Sequence, residues 1–217
     1  MTLLDFARGP GLQWSLTILV LGILWRIAGV LFLPRKRDLS EPRGTGTWRG
    51  AIGTIFSRSW PNAAFRSRVL FSTLLSYVFH IGLFVVVFFF VPHILLIKDI
   101  TGLSWPGLPN SIIYFAGVLT IAAMVVLLVR RWTHPVLRVI SNFDDYFSWL
   151  VTILPVLTGL MTFSHLALRY ETMLALHILS VELLFVWLPF SKLGHSFMVF
   201  ISRGTEGAAF ARKGAQS

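Results

Sequence analysis

The sequence predicts an all-α membrane protein: a five-transmembrane-helix bundle with its N-terminus outside and its C-terminus cytoplasmic. Three observations predict it. Of 217 residues, 55% are hydrophobic and only 13% charged, against about 25% charged in an ordinary soluble domain; the mean hydropathy is +0.75. Five apolar runs are each long enough to cross a hydrocarbon core about 30 Å thick. The basic residues gather in the loops and tails between those runs.

The first run, 12–33, ends at Pro34 and the cluster Arg35-Lys36-Arg37. It is too long for a signal-peptide core, and no small-residue cleavage site follows it, so a retained span is expected. The others cover about 69–97, 110–130, 146–166 and 172–201. Each must be helical, because lipid offers no partner to an unpaired backbone group. The second and fifth exceed 20 residues, so tilt or protrusion is expected. The segment 34–68 is too polar and too rich in Gly and Pro to span. Its Trp48, Phe56, Trp60 and Phe65 among arginines suit an interfacial segment at the headgroups or a docking surface for a cytoplasmic partner. With no internal repeat, residues 1–217 read as a single membrane domain.

The loops set the orientation. Segment 34–68 holds Arg35, Lys36, Arg37, Arg43, Arg49, Arg58, Arg66 and Arg68 against Asp38 and Glu41. Arg130, Arg131 and Arg138 follow the third span, and Arg203, Arg212 and Lys213 lie in the tail. The loops near 98–109 and 167–171 carry only Lys98 with Asp99 and Arg169 with Glu171. Positive residues favour the cytoplasmic side, so the first three segments belong inside and the last two outside.

The formal net charge of +10 raises nucleic acid as a partner. Basic residues split among membrane loops form no basic face, so topology accounts for them and no nucleic acid is expected. The absence of cysteine excludes disulfides, covalent c-type haem attachment, thiolate-bound iron–sulfur clusters and cysteine zinc sites.

The chemistry lies in histidines within the spans, where an ionisable residue is expensive and marks a functional site by default. His177 and His195 are eighteen residues apart, five turns of an ideal helix, which would face both rings the same way about 27 Å apart. His80 and His93 fall in the second span. The predicted orientation puts His80 and His195 at the inner depth and His93 and His177 at the outer. Two axial imidazoles make a low-spin electron-transfer haem, so the depths give pairs His80/His195 and His93/His177. Thirteen residues separate His80 from His93, about 220° around an ideal helix, which would set them nearly back to back; Pro92 is the residue able to kink or rotate the helix there. His134, beside Pro135, reads as a solvated loop residue. His165, ending the fourth span, has a propionate or a quinone as its functional option.

The string Phe79-His80-Ile81-Gly82 in the second span, and His177 followed by Leu188-Pro189-Phe190-Ser191-Lys192-Leu193 and His195 in the fifth, resemble the cytochrome b (gamma) subunit family of respiratory nitrate reductase. They also resemble its relatives in transmembrane redox complexes of sulfate reducers and sulfur oxidisers. The resemblance covers nearly the whole chain. It implies two b-type haems, a quinone or quinol (menaquinone) site and an iron–sulfur partner subunit, with the first histidine of the second helix paired to the last of the fifth. The chain departs from the nitrate-type pattern at Phe90, where that family has its second histidine; His93 comes three residues later. This favours a relative of the nitrate enzyme over that enzyme itself.

Arg26 and Lys192 have two readings each, snorkelling to the interface or pairing with a haem propionate. Glu182 sits five residues after His177 in an apolar run. It is either a neutral acid bonded to Ser180 or a neighbouring helix, or a proton relay for quinone chemistry. Gly82, Gly117 and Gly159 give room for close helix approach or for a flat macrocycle.

The expected function is that of a di-haem cytochrome b membrane subunit of a respiratory complex, in a bacterial or archaeal cytoplasmic membrane. It would carry electrons between the quinone pool and the iron–sulfur subunit without turning over substrate alone. The alternative is a haem-free membrane anchor or a proton-relaying transporter subunit. Five unrepeated spans speak against a transporter, which usually carries repeated halves.

Overall fold

The computed structural model describes residues 1–33 and 39–215; Pro34, the Arg35-Lys36-Arg37 cluster and Asp38 lie outside the described residues. Among those described there are helices and no strand. Helix α1 (Leu3–Phe6) opens with a capping box: the Thr2 hydroxyl accepts from the Asp5 amide at 3.1 Å, and the Asp5 carboxylate accepts from the Thr2 amide at 2.8 Å. The π-helical turn Ala7–Gly11 follows, with Pro10 inside it. Pro10 has no N–H to give the ladder, which favours the widened turn. The chain runs on into α2 (Leu12–Phe32), so the first span starts at Leu3 instead of residue 12.

The second predicted span, 69–97, is two helices: α4 (Arg66–Phe89) and α5 (Val91–Thr101). The residue between them, Phe90, is extended, with φ −80° and ψ 124°. A proline ring cannot follow a helical turn without clashing with the carbonyl four residues back, so Pro92 ends α4 and starts α5. The carbonyls this frees all need donors. His93 Nδ1 donates to Val86 at 3.0 Å, Trp105 Nε1 to Phe88 at 2.6 Å, and the Leu108 amide to Phe89 at 2.9 Å.

Helices α6 (Asn110–Thr133), α7 (Pro135–Ile140) and α8 (Phe143–Phe163) follow, the last capped by Asn142 and Asp145. The fifth predicted span, 172–201, is also interrupted. Helix α9 (Tyr170–Trp187) gives way to 3₁₀ turns at Leu188–Phe190 and Lys192–Gly194, and α10 (His195–Lys213) begins anew. Pro189 denies the ladder a donor, and Ser191 turns its hydroxyl to the Leu193 amide at 3.2 Å, taking the cap role that ends one helix and prepares the next.

Among the described residues five stretches are long and apolar enough to cross a membrane: Leu3–Phe32, Arg66–Phe89, Asn110–Thr133, Phe143–Phe163 and Tyr170–Phe190. Their outward faces carry large bare side chains such as Leu21, Trp25 and Phe115, 61%, 72% and 66% exposed. Contiguous apolar surface of this kind is stable only against lipid. The chain is a multi-pass membrane protein.

The contacts divide the chain into two compact units. The first comprises Met1–Ile18 and Leu74–Trp187. There α8 packs on α6 and on α9, and the N-terminal turns pack on α9. Val151, Ala123, Met124 and Ala175 form its core, and Gly82 meets Thr120 where any Cβ would collide. The second comprises Leu19–Thr73 and Leu188–Ser217. Here α3 (Thr47–Ser57) lies antiparallel on α10. Gly50 and Gly207 touch so closely that neither tolerates a Cβ. Arg58 pairs with Glu206 at 2.8 Å, and the Arg43 amide donates to the Arg212 carbonyl at 2.9 Å. Segment 34–68 thus contains a short helix. Its aromatic face, Trp48, Ile52 and Phe56, is exposed.

Candidate functional site

Restarting the helix at Val91 makes His93 the third residue of α5 and cancels the 220° expected for one continuous helix. The side chain turns onto His177 of α9. The two rings lie 6.1 Å apart between centroids, with planes 17° from parallel. Of the predicted pairs, His93/His177 is one the fold brings together.

Each ring of this pair is held through Nδ1. His93 Nδ1 donates to the Val86 carbonyl. His177 Nδ1 lies 3.3 Å from the Thr158 hydroxyl, which itself donates to the Leu154 carbonyl at 2.7 Å. The Thr158 proton is thereby committed, and its oxygen accepts from His177. Donation from Nδ1 leaves the Nε2 of each imidazole with a lone pair. Gly159 lets the ring in: a Cβ there would come within 3.1 Å of His177 Cε1. Ser180 stands 3.1 Å from Thr158 and donates to the His177 carbonyl at 2.6 Å. Phe90 sets its edge against His93 at 5.2 Å, and Phe163 packs on Phe90 at 5.8 Å.

His80 belongs to the first unit, where its Nδ1 donates to the Ser76 carbonyl at 2.7 Å. His195 belongs to the second, where its Nδ1 donates to the Lys192 carbonyl at 2.7 Å. Because α9 stops at Trp187, the five-turn relation between His177 and His195 does not hold. In the second unit, Gly22 packs on Pro189, and Arg26 brings its guanidinium to 3.6 Å from the point where a Cβ of Gly194 would stand. Arg26 thus lies beside the turn that presents His195. Lys192 is exposed within that turn.

Glu182 is buried, 7% exposed. The expected bond to Ser180 does not form, since that hydroxyl serves the His177 carbonyl and Thr158. Glu182 Oε1 has no hydrogen-bond partner among the described residues. Its carboxyl rests on Gly11, where a Cβ would be 2.7 Å from Oε2. His134 is exposed at the junction of α6 and α7. His165 is exposed with φ 53° and meets Tyr170.

Thr158, Ser76 and Trp105 act on the site without having been expected there. The signal available for Thr158 was a polar residue beside Gly159, one helix away from His177. Among the described residues no group of three or more His, Asp or Glu side chains could hold a bare metal ion.

No family model matches the chain, and no solved structure matches it. A curated protein of Nitratidesulfovibrio vulgaris (strain Hildenborough), whose name states no function, is 30% identical over 221 residues, covering 96% of this chain and 93% of that protein. The chain belongs to the same family as this Nitratidesulfovibrio vulgaris protein.

Proposed function

We propose that the chain is a di-haem cytochrome b subunit of a membrane redox complex, in which His93 and His177 would hold one b-type haem; the resemblance assigns His80 and His195 to the other. The observation that carries this is the spacing of the first pair. A metal–imidazole bond is about 2.0–2.1 Å, so two imidazoles that would share one iron need ring centres on the order of 6 Å apart. His93 and His177 stand at 6.1 Å between ring centroids. Their committed Nδ1 atoms and the Gly159 recess fit the same group.

The haem, when bound, supplies one-electron chemistry at iron. The protein's part is to fix ring orientation through Val86, Thr158, Ser76 and Lys192, and to exclude water with Phe90 and Phe163. Arg26 and Lys192 are the cations for propionates near His195. The orientation is N-terminus outside, in a bacterial or archaeal cytoplasmic membrane. In this reading the subunit would carry electrons between a quinone pool and an iron–sulfur subunit seated on the basic inner segments, as the resemblance implies. The resemblance at Leu188–Leu193 supports these last assignments.

A reduced-minus-oxidised visible spectrum of the purified full chain tests the reading. The expected result is a b-type α-band that weakens in His195→Ala. A folded preparation, expressed with ample haem and free of any such band, would favour the haem-free anchor or transporter subunit.

A further inference from the structure

Glu182 is the buried acid the electron-transfer reading leaves unused. It is 7% exposed, and Oε1 has no partner. An ionisable group buried in an apolar membrane helix is costly and by default marks a functional site. The N-terminal helix is shaped around it. Ala7, Gly11 and Ser15 recur every four residues and form one face; Ala7 and Ser15 are buried, and Gly11 supports the carboxyl itself. The nearby hydroxyls are committed elsewhere: Ser15 donates to the Leu12 carbonyl at 3.0 Å and Ser180 to His177.

The same face of α9 leads to the surface. At 100° per residue, Glu171, Ala175 and Glu182 fall within about 40° of one another. Glu171 and Ala175, with Thr2, Asp5 and Thr172, line a cleft of about 340 Å³ between the N-terminal turn and the start of α9. The stripe that carries the orphan carboxyl therefore ends in an open, half-polar cleft. On the N-terminal side the residues beyond the cleft are the small Ala7, Gly11 and Ser15; on α9 Ile178 and Leu179 stand between Ala175 and Glu182.

We propose that Glu182 is a proton-exchange site that communicates with the aqueous phase through the cleft between α1 and α9. The charged and titratable groups on the elements packed around it are Asp5 and Arg8 on the N-terminal turns, Glu171 and His177 on α9, and Asp144 and Asp145 at the start of α8. The ligand is the proton alone: carboxylate plus proton gives carboxylic acid, with no electron transferred. The inference stands without haem, and it supplies an exchangeable proton on the helix that carries His177.

The test is infrared spectroscopy of the full chain in lipid nanodiscs on transfer from H₂O to D₂O. The expected result is a carboxylic-acid carbonyl band that shifts in D₂O, vanishes in Glu182→Gln and persists at a moved frequency in Glu182→Asp. Thr172 is exposed, so Thr172→Trp should fold while filling the cleft; it should slow the shift at least tenfold. A wild-type chain without the band, a band indifferent to D₂O, or exchange unaltered by Thr172→Trp would each overturn the proposal. Should Glu182→Gln fail to fold, the Asp and Trp variants decide alone.

Discussion

Two helix interruptions, at Phe90 and at Leu188–Gly194, do the same job by different means. The first is one extended residue, and the loop that follows satisfies its freed carbonyls through Trp105 and Leu108. The second is a longer descent through two 3₁₀ turns held by Ser191. Each is caused by a proline, Pro92 just after the first and Pro189 within the second, and each is followed by a histidine in the first turn of a new helix. Each histidine then bonds Nδ1 back to a carbonyl of the segment just left, Val86 or Lys192. His80 and His177 are different: they sit inside unbroken helices and are held by Ser76 on the same helix or Thr158 on the next. A break frees a histidine from the helical repeat, and the carbonyls it exposes lock the ring in its new direction.

The largest effect should come from closing the first break. Pro92→Ala restores an N–H for the Phe88 carbonyl and removes the ring clash. A continuous helix would swing His93 away from His177, and the account expects at least a tenfold loss in occupancy of that haem, read by titrating the apo-protein with haem. Unchanged affinity would mean that the break does not aim the histidine.

Next is Gly207→Val, which separates α3 from the helix that begins at His195. Overpacking of this kind costs about 1–3 kcal/mol, visible as a lower unfolding temperature in detergent. The spectrum of a haem held by His93 and His177, if the proposal is right, should be untouched, because that pair lies in the other unit.

A comparable change is expected of Thr158→Val. It removes the acceptor of His177 Nδ1–H, and outer partners of this kind are worth roughly 10–100-fold in ligand affinity. Potentiometry should show one haem shifted in midpoint and the other unmoved; Thr158→Ser should restore the original value. Smallest is Arg58→Ala, whose ion pair with Glu206 is 41% and 45% exposed. Its loss should cost less than about 1 kcal/mol.

The five spans were legible because membrane helices must be long and apolar, whatever their neighbours. Their interruptions were half legible. Pro92 announced a disturbance, but the extended residue is Phe90, two places earlier, where the ring's clash with the preceding turn is relieved. Pro189, Ser191 and Gly194 carried break signals too, outweighed by the apolar run around them. The start at Leu3 was hidden because a capping box of Thr2 and Asp5 is polar. Helix α3 escaped notice because its contact face is Gly50 and Thr54, small residues whose partner is more than 150 positions away. The four histidines stood out as ionisable groups in apolar runs. Their supports did not, since a threonine or a backbone carbonyl gains a role only when the fold sets it beside a ring.

The central claim is that His93 and His177 hold one haem between them. Haem per polypeptide, measured by pyridine haemochrome on the wild-type chain and on His93→Ala, addresses it most directly. The account predicts two haems falling to one, with the remaining one spectrally unchanged. Two haems retained in His93→Ala, or none in a well-folded wild-type protein, would contradict it.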